Sequence, residues 1–283
     1  MMSSGIKSGL KKMVVYTLLG LDGLHKKRGI PILLYHRVAN EFNPEHDVTT
    51  VLTQEFASQM DWLLQRKYHV VTLEEAIELL EKNREPDNKY VAITFDDGHY
   101  DNYQFAYPVL KDRGLRATVF IVTDYVGHTG WLDRNGSWSD ERTGSEPFYK
   151  FLSWDDLRQI ADVFDVGSHG RMHRPLTMLS GTEMQEELDG SRQAIYDHLG
   201  IWPAFFCYPY GATNKIIVEC TKEAKYKGAF STQKGLNNGC TNRWLMKRNT
   251  VGMGITPLQF DLLLSDRIKV YARISNWLNG KRK

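Results

Sequence analysis

Cysteine is scarce in this chain of 283 residues: Cys207, Cys220 and Cys240 stand far apart, with no Cys-x-x-Cys pair among them. That spacing excludes a disulfide-knit scaffold and a cysteine-lined zinc site, and it fits a reducing compartment. A strong charge of either sign is also missing, since 36 basic residues against 34 acidic ones leave a net charge of +2. A surface built to bind a polyanion over its whole area is therefore not expected, and nucleic acid is not an expected partner. No repeat, low-complexity tract or Pro/Ser-rich linker divides the chain. Its length suits one barrel-sized domain or two small ones.

A membrane-spanning hydrophobic run is absent too. The apolar stretch MVVYTLLGL (13–21) is too short to cross a bilayer. Lys7, Lys11 and Lys12 precede it as they would in a secretion signal, but no small-residue cleavage site follows. At helical spacing Leu10, Met13, Val14, Leu18, Leu21 and Leu24 share one face, so residues 1–29 read as an uncleaved amphipathic helical segment rather than a signal peptide or anchor. Residues 256–283 read as a second amphipathic helix, with Phe260, Leu263, Leu264, Ile268, Tyr271 and Leu278 along one stripe and basic residues elsewhere. Two readings of these ends stay open: peripheral contact with a membrane surface, or cover for the core between them. The expected location is the cytoplasm, with peripheral attachment at an inner membrane as its variant.

Hydrophobic residues make up 42% of the chain, enough for a sizeable core, and they fall in short runs that alternate with helix-like segments. IPILLYH (30–36), HVVT (69–72), YVAITF (90–95), ATVFIV (117–122), VGSH (166–169), FFCYP (205–209) and GAFST (228–232) read as strands. Helices are expected from Thr53, over 73–82, around Phe105 to Leu110, over 153–164 behind a Ser153 cap with Asp156 three residues on, and over 182–199. Continuous apolar strands between helices predict an α/β fold of parallel βαβ units. In such folds functional groups collect at the C-terminal ends of strands. His36, Asp96, Asp97, His169 and the Pro209-Tyr210-Gly211 turn all fall at such ends. Residues 123–152 are too long for an ordinary connection and read as a functional loop over that face.

Asp96 and Asp97 sit side by side with Gly98 behind them. Neighbouring like charges away from water need a cation close by, or one of them is driven towards its neutral form. A solvated turn would also accommodate the pair. His169 and His173, four residues apart, offer the cation: two imidazoles and one carboxylate are a common ligand set for a catalytic metal. One aspartate can then bind the cation while the other accepts a proton from water. The same ligand types suit a non-haem iron oxygenase, but the βα alternation and the second aspartate favour hydrolysis.

TFDDG (94–98), SHGRMH (168–173) and YPYG (208–211), in that order, resemble the motifs of polysaccharide deacetylases, the NodB-homology or carbohydrate esterase 4 family. PILLYHRV (31–38), ATVFIVTDYVG (117–127) and LSWDDL (152–157) extend the resemblance over about residues 30–250, closest in pattern to the poly-N-acetylglucosamine deacetylases. It implies a distorted (β/α) barrel of seven parallel strands, spanning residues 30–255, and metal-dependent hydrolysis of an N-acetyl, less often O-acetyl, group on a sugar. Carried over by position, Asp97, His169 and His173 hold a divalent metal ion, Asp96 is the general base, and the Tyr210 backbone N–H helps form the oxyanion hole. His36, in a Tyr-His pair, is the candidate general acid. Zinc is the default ion, with cobalt, nickel or manganese as alternatives, and the implied partner is an N-acetylated polysaccharide, oligosaccharide or glycan intermediate.

The pattern has departures. Cys207 stands where the family often has the arginine that partners the base, and Arg171 or Arg248 is the candidate substitute. No late Leu-x-His motif supplies the usual acid, and His198 reads as exposed. A catalytically silent sugar-binding relative therefore stays open. Trp131, Trp138 and Trp154 could stack on sugar rings or serve as core filler.

Overall fold

The computed structural model describes residues 29–41, 49–82, 89–132, 138–139 and 148–278. The N-terminal amphipathic segment lies outside them. The strands in chain order are β1 (Ile32–Tyr35), β2 (Arg37–Ala39), β3 (Thr50–Leu52), β4 (His69–Val70), β5 (Tyr90–Phe95), β6 (Ala117–Ile121) and β7 (Thr129–Leu132). They continue with β8 (Trp138–Ser139), β9 (Phe148–Lys150), β10 (Phe164–Ser168), β11 (Phe205–Cys207), β12 (Gly228–Phe230) and β13 (Asn249–Thr250). Seven form a curled sheet in the order β12-β11-β10-β6-β5-β1-β13, and β4 lies along the start of β5. Every pairing in that sheet is parallel, as the sequence predicts for a barrel of this kind.

Successive side chains of a strand point to opposite faces, and here that alternation builds two cores. On β5, Val91, Ile93 and Phe95 face outward and pack with Phe56, Met60 and Leu63 of the helix Thr53–Gln65 and with Leu110, Leu157 and Phe260. Tyr35, Phe56, Phe95 and Phe164 meet ring to ring at centroid distances of 5.1 to 5.8 Å. Each such buried ring contributes about 1.5–3 kcal/mol. The inner face carries Ile32, Ala92, Phe120, Phe205, Cys207 and Phe230, joined by Leu73, Ala76, Ile77 and Leu80 of the helix Leu73–Lys82. Gly167 on β10 makes room for this layer, because a Cβ there would lie 2.5 Å from the Phe120 ring.

The two edges of the sheet are brought together by one short segment. Phe230 at the end of β12 bridges Met246, and three residues later β13 pairs with β1. Arg248 sits in this seam, fully buried. Its position depends on a contact spanning most of the chain.

Helix ends differ from expectation in instructive ways. Ser153 and Asp156 form the expected reciprocal cap, but the helix stops at Gln159 because β10 starts at Phe164. The helix expected over 182–199 is interrupted by a π-turn, Glu186–Gly190, between Gly181–Gln185 and Ser191–Leu199. The single C-terminal helix expected over 256–283 is two: Pro257–Leu263, capped by Thr256 with Gln259, and Ile268–Leu278. Leu264 and Ser265 turn between them, and Phe260, Leu262, Leu263, Leu264 and Ile268 are buried against the outer core. Among the described residues no helix is long and apolar enough to cross a membrane.

Candidate active site

β5 delivers the first motif. Its inward residues Ala92 and Thr94 are followed by Asp96, which therefore points into the barrel. Asp97 leaves the strand with a left-handed φ of 73°, and Gly98 follows at 78°. A side chain on Gly98 would also approach Ile121 Cγ2 to 3.0 Å. Five described non-glycine residues have positive φ, and three of them are Asp97, His173 (56°) and Tyr210 (59°). Left-handed backbone is uncommon for such residues and concentrates where function imposes it.

Asp96 is buried and held by Arg248 through two hydrogen bonds, Nη1 to Oδ1 and Nη2 to Oδ2, both 2.7 Å. Arg248 also donates to Thr94 Oγ1 (3.2 Å), to the Ser231 carbonyl (3.2 Å) and to Cys207 Sγ (2.8 Å). Burial alone would raise the Asp96 pKa, but the Arg248 charge and hydrogen bonds outweigh it and hold the carboxyl below its usual value. Burial raises the Cys207 thiol well above its ordinary pKa, so it stays protonated. Of the two arginines expected as substitutes, Arg248 is the one paired with Asp96. Arg171 pairs instead with Asp124 at 3.0 Å.

The second motif follows β10. His169 Nδ1 lies 2.8 Å from the Cys207 carbonyl, which can only accept, so Nδ1 carries the hydrogen and Nε2 presents a lone pair. That Nε2 is 3.5 Å from Asp97 Oδ1. His173 Nε2 reaches the same oxygen at 3.4 Å. Burial, reinforced by His169, lowers the His173 pKa from 6.5 to about 4, so the ring is neutral at ordinary pH. For Asp97 burial again raises the pKa, but a hydrogen bond from His99 and the neighbouring imidazoles carry it well below the usual range.

Among the described residues two clusters could hold a cation: Asp96, His169 and Cys207, or Asp97, His169 and His173, each with ligand atoms within 4.8 Å of one another. The first is already neutralised by Arg248. In the second, Asp97 Oδ1 is buried without a hydrogen-bond partner although two imidazole nitrogens face it. An unpartnered buried carboxylate oxygen is costly, and a divalent ion between these three groups would satisfy it. The residues fit a metal at the outer cluster.

His36 follows β1. It lies close to both Asp96 and Asp97, and its Nδ1 is buried without a hydrogen-bond partner. Asn102, in a π-turn (Asn102–Ala106), donates to the His36 carbonyl at 2.9 Å and fixes that loop. Tyr210 projects into solvent, 66% exposed, with its ring 4.6 Å from that of His173. His198 is exposed and stacked on Trp154, which makes Trp154 a packing residue. Trp131 and Trp138 lie on β7 and β8 of a small antiparallel sheet, and their side chains lie outside the described residues.

Sequence reasoning missed His99 and Glu187. The His99 ring is buried against those of Phe151 and Tyr149, with Nε2 3.5 Å from Asp97 Oδ2. Backbone bonds from Leu152 to Gly98 and from Tyr100 to Lys150 tie the base of the 123–152 insertion to this loop. For His99 no local pattern announces the role. Glu187 left a signal: an acid on the buried stripe of Met184, Leu188, Ser191 and Ile195.

The strand ends of one curled parallel sheet thus gather two acids, two imidazoles and a buried guanidinium, groups suited to hydrolysis. A model of the family described as polysaccharide deacetylase matches residues 83–229. A poly-β-1,6-N-acetyl-D-glucosamine N-deacetylase of Staphylococcus epidermidis is 33% identical over 222 residues, covering 74% of each chain. Two solved structures share the fold. The Streptococcus pyogenes deacetylase PplD in complex with acetate has a TM-score of 0.70 at 22% identity, covering 84% of this chain and 99% of its own. IcaB from Ammonifex degensii has 0.67 at 24% identity, covering 89% and 98%. The chain belongs to the polysaccharide deacetylase family.

Proposed function

We propose that the chain removes N-acetyl groups from an amino-sugar polymer of the poly-β-1,6-N-acetylglucosamine type, with a divalent metal held by Asp97, His169 and His173. The observation that carries this reading is the separate partnering of the two acids: Arg248 for Asp96, an open corner with two imidazoles for Asp97. The named Staphylococcus relative supports the polymer, and the one-carboxylate, two-imidazole set suits zinc as the default ion.

A cation there supplies Lewis-acid chemistry, lowering the pKa of water from about 15.7 towards about 7 and polarising a carbonyl. Asp96 acts as general base, kept ionised and aimed by Arg248. The Tyr210 backbone N–H donates to the oxyanion of the tetrahedral intermediate, where losing one donor costs about 10²- to 10³-fold. His36 delivers a proton to the departing amine, a contribution of about 10²- to 10⁴-fold. The silent sugar-binding reading rested on the arginine missing at Cys207, and Arg248 brings a guanidinium to Asp96 from the segment just before β13.

The test is acetate release from β-1,6-linked N-acetylglucosamine oligomers by metal-loaded and chelator-treated protein, with metal content measured alongside. Release that needs the metal is expected. Full release by metal-free protein, or none from any N-acetylated amino sugar with metal present, would overturn the reading.

A further inference from the structure

We infer that Glu187 is a positioning residue for His173, holding the loop that presents this imidazole and thereby setting how tightly the corner binds a cation. The inference rests on the reading of Asp97, His169 and His173 as a cation site. Residues Gly170 to Met172 join the two imidazole residues, and through Arg174 the chain has neither strand nor helix, turning left-handed at Gly170 (φ 83°) and at His173 (φ 56°). Backbone N–H groups in such a loop need acceptors from elsewhere.

One buried carboxylate supplies them. Glu187 Oε2 accepts from the Arg171 N–H at 2.7 Å and from the Met172 N–H at 3.1 Å, while Oε1 accepts from Arg174 Nε at 2.9 Å. Consecutive N–H groups converging on an anion form a nest, here filled by a side chain of the same protein. Gly170 leaves the space, since a Cβ there would sit 2.8 Å from Oε2. The π-turn Glu186–Gly190 lies where this carboxylate leaves the helix, a distortion that recurs at functional sites. A further bond fixes the start of the loop, from the Gly170 N–H to Ser168 Oγ, which itself meets Ser191 Oγ at 2.7 Å. Glu187 touches neither the acids nor the imidazole rings, so its influence passes through the loop.

Substitutions separate this role from simple packing. Glu187→Gln keeps an oxygen for the two backbone N–H groups but sets an amide NH₂ against Arg174 Nε–H, donor against donor. Removing that donor with Arg174→Met in the same chain relieves the conflict. The experiment titrates metal-free full-length protein with Co²⁺, read by calorimetry and by the visible absorption of the bound ion, and follows amide exchange of Arg171 and Met172 without metal.

Glu187→Ala is expected to weaken Co²⁺ binding about 10- to 100-fold, the usual effect of losing a group that orients a ligand. Glu187→Gln should weaken it less, Glu187→Gln with Arg174→Met should recover most of the loss, and exchange at Arg171 and Met172 should accelerate while β10 stays protected. Single variants that bind Co²⁺ within about twofold of wild type, with an unchanged spectrum and only a lower Tm, would overturn the inference. If Glu187→Ala does not fold, the Gln pair decides alone. Wild-type protein that takes no Co²⁺ would refute the cation reading instead, and with it the claim on affinity. Amide exchange would then decide whether Glu187 holds the loop.

Discussion

Two carboxylates one peptide bond apart meet opposite surroundings in this fold. Asp96 points into the barrel, with both oxygens bound by the buried Arg248, whereas Asp97 turns outward and leaves Oδ1 without a hydrogen-bond partner between two imidazole nitrogens. The difference follows from strand alternation followed by a left-handed step at Asp97. It teaches that adjacent like charges can be kept apart by giving each its own surroundings, a guanidinium for Asp96 and a corner of imidazoles for Asp97. It also makes the two acids non-interchangeable: one side is closed and suits a base, the other is open and suits a ligand.

The comparison is broken most severely at Arg248. Arg248→Met leaves Asp96 buried and uncompensated, which costs about 3–5 kcal/mol of stability and should abolish turnover. Urea unfolding checks the first and acetate release the second. A variant as stable as wild type would mean that Asp96 does not depend on the guanidinium.

His36 lies close to both acids, and removing it sharpens their division of labour. His36→Ala should slow hydrolysis of acetamido sugars by about 10²- to 10⁴-fold but spare activated acetate esters, whose leaving groups need no proton. Parallel kinetics on the two substrates check this, and equal losses would remove His36 from the acid's role.

Smaller effects test the open side. Tyr210→Ala keeps the backbone N–H, so its loss of turnover should stay well under the about 10²-fold that removing an oxyanion donor costs. Steady-state kinetics check it. A further test reads the pH dependence of stability. With a folded pKa of about 4 against 6.5, His173 stays neutral in metal-free protein while the unfolded imidazole takes up a proton. Its contribution to stability therefore rises with pH from about 4 to 6.5, is fully present above that window, and is lost as the pH falls through it. His173→Gln should flatten that part of the urea-unfolding profile.

Much of this was legible in the sequence because it is local. YVAITF is the strand Tyr90–Phe95 to the residue, the Ser153 cap with Asp156 forms, and the helix Leu73–Lys82 has the expected bounds. Asp96, Asp97, His169 and His173 do converge, since each lies at or just beyond the C-terminal end of a parallel strand of one sheet. What was not legible depends on long-range closure. Arg248 could be named only as one of two substitutes, because its approach to Asp96 is set by the seam between β12 and β13. The two π-turns and the break between the C-terminal helices have no periodic signature in the sequence. His99 is recognisable only after the insertion stacks Tyr149 and Phe151 around it.

Metal titration of Asp96→Asn beside Asp97→Asn tests the division between the acids most directly. Asp96→Asn should bind one divalent ion per chain with affinity close to wild type yet release no acetate, while Asp97→Asn should lose both. Loss of the ion in Asp96→Asn, or its retention with turnover in Asp97→Asn, would contradict the account.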